Sequence, residues 1–473
     1  LAHLRRGVLK FVHATFLRHG CGLLHSLAQP AVRPGFLLHQ HNGSRCAIIP
    51  LCPSAAAGAS GRCRSGEMAA RDEQIVRRGE PQLTRHGLIV MDTQPQPNET
   101  NQPASANLPE QGQTALRSPS HLIATIPGAL GYFPNESVVL INVYSHPAAD
   151  QALDIGTYLD ADVGNTESIQ RALQLIPVGR HVATFAVIIT RVPDSQMVAA
   201  AVEGLCRAAD EFGEIVEACW IVSEVADGTP YHLVFGPDIC SARNLWGWED
   251  TYQCGTVSSI VAAEPMRPLI DLGALPELHK DELFAHFDPV STSDALKCEA
   301  LAPNARRRGA ELMDLVDVAP ALARERLERA CDIFLGAPNT SVIDNDGSLI
   351  IADVFTCVED VELLASVLSR NALRDCLIVD ALNHPRAAAA VLLTIARNFS
   401  GRIRANALCL WAMVAVSLGL TGWASAALAS AQKEVPGHSL SGLLASVLGI
   451  GQGHALLELC RQGCADTWAG LEG

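Results

Sequence analysis

Several groups of side chains in this 473-residue sequence carry residue types that could do chemistry. The first comprises Asp160 and Asp162, Arg191 and Asp194, and Ser223 and Glu224, each set closing an apolar or β-branched run. In open α/β sheets, ligands sit beyond the carboxyl ends of parallel strands. Carboxylates gathered at such an edge could hold a divalent cation that polarises a phosphoryl or acyl oxygen, the chemistry of a metal-assisted hydrolase or transferase. Against this, strand ends lead into polar loops, and Asp194 is placed to cap the helix that follows. A second group, His279, Glu282 and His286, has spacings of three and four that put it on one helix face as a metal edge. Glu282 also falls in a first helical turn, where an acid is favoured by the helix dipole.

Other stretches come close to known motifs and miss. Gly437-His438-Ser439-Leu440-Ser441-Gly442 nearly spells a nucleophile elbow, but Ser441 stands where a second Gly must permit the tight turn, and Pro436 rather than a strand precedes it. Ser439 is better read as a helix N-cap. Gly449-Ile450-Gly451-Gln452-Gly453 lacks the Lys and the preceding strand of a phosphate loop, so it reads as helix punctuation. Asp344-Asn345-Asp346-Gly347 fails as a calcium loop, because Val342 occupies the position of the first carboxylate ligand. Eleven Cys lie beyond Met68 without a Cys-x-x-Cys, which predicts free thiols in a reducing compartment.

The elements that must position these groups fall into two halves. Runs at 137–145, 153–159, 182–192, 215–225 and 231–235 read as five strands, with helical spacing at 166–176 and 194–212 between them. That order predicts an α/β domain over 118–265, a mixed sheet with parallel crossovers in the middle and hairpins at the ends. Trp246, Trp248 and Tyr252 follow in a Gly-rich loop, read as a lid over the core or as a partner or ligand surface. Beyond it the strands stop, and an all-helical C-terminal domain is expected over 266–473. Its helices are placed at 281–287, 306–318, 321–335, 358–368, 386–398, 404–418 and 423–433, with further pieces near Leu443 and Leu456. Arg306-Arg307-Arg308 reads as a solvated helix start. Residues 405–432 carry no charge, but Gly419 to Gly422 break the run below the roughly 20 residues of a membrane span, which predicts a buried helical hairpin.

Composition sets the remaining bounds. The full chain carries 35 Lys and Arg against 50 Asp and Glu, a net charge of -15, and lacks the basic face a nucleic-acid binder needs. Residues 1–67 break the pattern, with eight bases against the single acid Glu67, whereas the rest carries 27 bases against 49 acids. The chain opens on Leu1, and Met68 and Met91 precede the first patterned segment. Residues 1–67 are therefore read as upstream sequence from a start placed too early, ahead of a transit peptide or a basic tail. Residues 92–120, rich in Gln, Asn, Pro and Ser, extend this non-globular tail, expected over 1–117.

One further set of residues resembles a known family. Leu130-Gly131-Tyr132-Phe133-Pro134-Asn135-Glu136-Ser137-Val138-Val139 is similar to the opening signature of an actinobacterial family, domain of unknown function 4192. Asp227-Gly228, Cys254-Gly255-Thr256-Val257, Arg374-Asp375 and 424–444, with Glu434-Val435-Pro436-Gly437-His438, follow in that family's order, so the resemblance covers about 119–451. Two departures stand out: Tyr158-Leu159-Asp160-Ala161 keeps the acid of the family's Arg-x-Asp-Leu but lacks its Arg, and Leu420-Thr421-Gly422 replaces a Gly-Asp-Gly turn. The resemblance implies a cytoplasmic bacterial protein with no assigned activity. It marks Leu130, Gly131, Phe133, Pro134, Ser137, Arg374 and Asp375 as motif residues.

The expected function is a non-catalytic interaction or regulatory protein whose helical domain binds another protein. No cofactor is expected; a divalent cation enters only under the hydrolase or transferase alternative, and attachment to a membrane through 405–432 is the weakest reading. Arg374 is expected to be buried and structural. Neighbouring helical residues point about 100° apart, so Arg374 and Asp375 are expected to find partners elsewhere rather than each other.

Overall fold

The computed structural model describes residues 116–471 apart from 146–152, 177–180, 213–215, 249–250, 291–292, 339–341 and 344–349. Residues 1–115 of the tail expected over 1–117, and the turn at Asp344 to Gly347, lie outside the described residues. At the other end of that tail Leu116 packs on the core, its carbonyl accepting the Trp248 indole N–H at 2.8 Å. Short helices α1 (Pro119–Ala124) and α2 (Ile126–Leu130) lead into strands β1 (Ser137–Ser145) and β2 (Leu153–Asp162). Helix α3 (Thr166–Gln174), β3 (His181–Ile189), α4 (Gln196–Phe212), β4 (Val216–Val222), β5 (Pro230–Phe235), α5 (Ile239–Trp246) and β6 (Cys254–Thr256) complete this half.

The sheet order is β2-β1-β3-β4-β5-β6, so a sixth strand, three residues long, joins the five expected. It was missed because Cys254-Gly255-Thr256 is too short to show an alternating pattern. β1 is antiparallel to both β2 and β3, while β3 and β4 are parallel. Both helical connections are therefore crossovers: α3 joins β2 to β3, which run the same way on either side of β1, and α4 joins the adjacent pair β3 and β4. Hairpin β1-β2 closes one end, and hairpin β4-β5 is extended by the antiparallel β6 at the other. The mixed sheet follows from sequence order, since a helix between strands returns the chain in the same direction whereas a tight turn reverses it.

The helical half continues with α6 (Arg267–Asp271), α7 (Lys280–Ala285), α8 (Ser293–Val318), α9 (Pro320–Gly336), α10 (Ile351–Val354), α11 (Val358–Leu368) and α12 (Asn371–Arg374). After a 3-10 turn come α13 (Ile378–Asn383), α14 (Pro385–Asn398), α15 (Gly401–Ser417), α16 (Thr421–Glu434), α17 (Ser439–Gly449) and α18 (Gly453–Ala469). Helix α8 starts well before the expected Arg306 and runs through Pro303. The three arginines consequently sit mid-helix, where Arg308 pairs with the buried Glu362 at 2.8 Å and Arg307 with Glu311.

Alternation along β1 splits the core between the two sheet faces. Val138 and Leu140 face α3 and α4, packing with Ile169, Leu173 and Leu205. Val139, Ile141 and Val143 face the other way, into a core that continues without a break into Phe287, Trp411 and Trp423 of the helical half. Trp248 and Tyr252 are buried on that same face, around Phe185 and Trp220, so the aromatic loop is a lid packed on the core. The uncharged 405–432 stretch falls in α15 and α16, which pack on each other with Ile403 to Ala415 buried throughout. No helix among the described residues is long and apolar enough to cross a membrane.

Candidate functional site at the sheet edge and the buried network

Because β2, β3 and β4 run the same way, their carboxyl ends share one edge, and register places Asp162, Ser137, Ile189 and Val222 in one row across it. The chain enters β1 through Glu136, which holds a left-handed φ of 47°. That conformation costs energy for a residue with a Cβ. The Glu136 carboxylate offsets it by accepting hydrogen bonds from Thr190 Oγ1 (2.6 Å) and the Arg191 amide (3.0 Å), tying the entry of β1 to the exit of β3. Sequence reasoning did not single out Glu136, because only its backbone conformation and its long-range partners mark it.

The expected site residues around it are spent separately. Arg191 pairs with Glu224 at 3.0 Å, both side chains largely in solvent at 72% and 55% exposure. Asp162 Oδ1 accepts the Gly164 amide at 2.7 Å and closes the turn into α3. Asp194 is exposed in the turn before α4 and does not cap it. Ser195 takes that place, its Oγ accepting the Val198 amide, because it stands immediately before the first helical residue. Asp160 lies one pleat further in and accepts hydrogen bonds from Tyr132 Oη (2.6 Å) and Lys280 Nζ (2.8 Å). Burial, and then the Asp160 charge, push the Tyr132 hydroxyl far above its ordinary pKa, so it stays a protonated donor. The edge thus unites Arg191 with Glu224, while Asp160, Asp162 and Asp194 each face different partners or solvent. Among the described residues, no group of three or more His, Cys, Asp or Glu side chains is arranged to hold a metal ion.

The near-motifs resolve into local structure. Glu282 reaches back to accept the amides of Leu278 and His279, both at 3.1 Å, as the capping acid of α7. His286 is buried against Phe287 and Trp423 rather than aligned with His279 in solvent. In the Gly437 to Gly442 stretch the N-cap of α17 is His438, not Ser439: its Nδ1 accepts the Ser441 amide at 3.3 Å. Gly451, at a φ of 70°, turns the chain between α17 and α18 and packs on Gly156 of β2. All eleven cysteines beyond Met68 are free thiols.

A second cluster lies within the helical half. Arg374 and Asp375 are buried, their side chains 1% and 3% exposed, and Arg374 Nε and Nη2 both donate to Asp375 Oδ1, at 2.9 and 2.5 Å. This corrects the expectation that the neighbours could not satisfy each other. The backbone tightens from α12 into a 3-10 turn at Asp375, and the long Arg side chain folds back onto the next carboxylate. The remaining fork nitrogen, Nη1, donates to Asn406 Oδ1 of α15, which also meets His438 Nε2 at 3.1 Å. Asn406 Nδ2 donates to the Leu368 carbonyl at 2.7 Å. Burial, with the charges of Arg374 and Arg402 adding to it, holds His438 down to about 4, so the ring is neutral at neutral pH. The nearby Cys409 thiol is pushed up to about 12 by burial, so it stays protonated at neutral pH.

The motif residues at the start of the fold are interlayer contacts. Gly131 ends α2 at a φ of 82°, and a Cβ there would stand 3.0 Å from the Trp423 indole. Phe133 and Glu277 exchange backbone contacts with this turn, the Phe133 amide donating to the Glu277 carbonyl and the Glu277 amide to that of Gly131, each at 2.9 Å. Pro134 is buried, and Ser137 Oγ donates to the Asn135 carbonyl at 3.1 Å. Further on, Asp227 Oδ1 accepts the Ile260 amide at 2.8 Å, while Gly228 turns the chain at a φ of 77°.

The sequence model of DUF4192, a domain of unknown function, matches residues 119–453. The chain belongs to this family. Neither a curated protein nor a solved structure matches it. In this DUF4192 protein the Leu130-Gly131 turn packs on α16, the Arg374-Asp375 pair meets α15 and the start of α17, and all of these blocks fall within the matched span.

Proposed function

We propose that this DUF4192 protein is a non-catalytic interaction or regulatory protein of an actinobacterial cytoplasm, binding a protein partner through its helical half. The position of Asp160 carries the reading. It is the most enclosed of the candidate carboxylates at the edge, its side chain 7% exposed, and its Oδ2 is committed to Tyr132 and Lys280 rather than to the ends of β3 and β4, while Oδ1 is buried without a hydrogen-bond partner. A cation or substrate site built on the edge would need that carboxylate to join Asp162 and Glu224. The helical half offers large apolar side chains to solvent, among them Leu275, Leu278 and Leu335 at 61–67% exposure, of the kind that mark contact surfaces when they lie together, although Leu175 and Val261 of the α/β half are as exposed. The free thiols support a reducing compartment.

The test is affinity capture of the tagged full chain from its native host with mass spectrometry, run beside thermal-shift measurements with nucleotides and divalent cations. The expected result is a stoichiometric protein partner and no ligand-dependent stabilisation. Saturable stabilisation by a nucleotide or a divalent cation would favour a metal-assisted transferase or hydrolase instead.

A further inference from the structure

Between α9 and the segment 354–360 lies a cleft of about 280 Å³. Ile333, Val354 and Phe355 supply its apolar wall, and Arg329, Asp332 and Gly336 line the α9 side as one stripe three to four residues apart. Exposed Leu335, Ile350 and Val358, at 61%, 47% and 58%, neighbour these lining residues in the chain. Two of its four polar lining side chains are acids, beside one base and one hydroxyl. Asp332 and Asp360 are the acids, and the exposed Asp353 and Glu359 stand next to the lining residues Val354 and Asp360 in the chain. The single lining base, Arg329, is already paired with Asp360 at 3.3 Å, and Asp360 also accepts Thr356 Oγ1 at 3.0 Å.

We propose, resting on the interaction reading above, that this cleft docks a partner segment carrying one aliphatic anchor residue flanked by lysines or arginines. The apolar wall and the exposed aliphatic neighbours would desolvate the anchor. The excess of carboxylates around them selects basic flanks and disfavours acidic ones. The α9 side also provides a clean way to block the cleft. A Cβ at Gly336 meets no atom within 4 Å, so a larger side chain there enters open space without disturbing the packing.

The probe is a fluorescently labelled twelve-residue peptide with a central Leu between lysines, titrated by anisotropy against the full chain. Saturable binding is expected, weakening several-fold when salt is raised from low to physiological ionic strength. Gly336→Leu should weaken it about tenfold or more, and Asp332→Lys several-fold with a smaller salt dependence. A glutamate-flanked peptide, or one with Asp at the centre, should not bind. Lack of binding by the basic peptide, equal binding of the glutamate-flanked one, or full affinity in a folded Gly336→Leu variant would each overturn the proposal. If Gly336→Leu does not fold, Asp332→Lys and the peptide swaps still decide. A host partner captured equally by wild type and Gly336→Leu would sink this cleft while leaving the interaction reading intact. Ligand-dependent stabilisation without any partner would sink the reading itself.

Discussion

Two Arg–carboxylate pairs in this protein join the same kinds of charge in opposite surroundings, Arg374 with two bonds to Asp375 and Arg191 with one to Glu224. Arg374 with Asp375 is enclosed in the helical half, whereas Arg191 with Glu224 lies in water at the end of the sheet. In water the charges are screened and already hydrated, so an exposed pair contributes about 0–1 kcal/mol. In the interior each ion has lost its hydration, and the pair persists only because Asn406 takes the remaining donor and His438 is kept neutral beside it. The motif residues of the helical half are thus part of the folding core, while the residues that look most like an active site hold turns and strand ends together.

The sharpest break of this contrast is Arg374→Ala, which strands the Asp375 carboxylate in the interior and should cost about 3–5 kcal/mol in denaturant unfolding. Replacing both members with apolar residues of similar volume should cost less than removing Arg374 alone. Next comes pH. His438 has its folded pKa depressed to about 4 against an ordinary value of 6.5, so it contributes stability that is fully present above about 6.5. That contribution is lost as pH falls from there through about 4. The linked loss is up to about 3 kcal/mol, and His438→Gln should flatten this limb of the stability profile. Gly422→Ala would drive a methyl group into the Leu130 carbonyl and should lower stability by about 1–3 kcal/mol, read as a fall in Tm. At the exposed end of the comparison, Arg191→Ala and Glu224→Ala should each stay within about 0.5 kcal/mol of wild type. A loss from either comparable to that of Arg374→Ala would erase the distinction between the two regions.

Much of the scaffold was legible in the residues. The β-branched runs at 137–145 and 182–189 are strands because their side chains suit a pleated, buried surface. Helix α11 begins and ends where its apolar spacing does, at Val358 and Leu368. Short-range competition was harder to read. Ser195 caps α4 in place of Asp194 and His438 caps α17 in place of Ser439, since neighbouring polar residues can each offer an acceptor and a shift of one residue decides between them. The partners of Asp160 were hidden for a different reason. Tyr132 and Lys280 lie 28 and 120 residues away, and no local pattern links them.

Composition and periodicity determined the two halves of this protein, the direction of its strands and the burial of the uncharged 405–432 stretch, because those follow from local geometry and from the cost of exposing apolar surface. The apolar segment after Arg374 already implied the burial that is observed there, but only the tertiary structure decided which partners meet each charge. Arg374 and Arg191 are the same residue type, and the distinction arises from what the chain places over them: for Arg374, helix α15 with Asn406 and the start of α17 with His438; for Arg191, water. Burial is a property of segments meeting across long loops, so the dielectric around a charge, and with it the energy of its pairing, is fixed only when the chain has closed on itself.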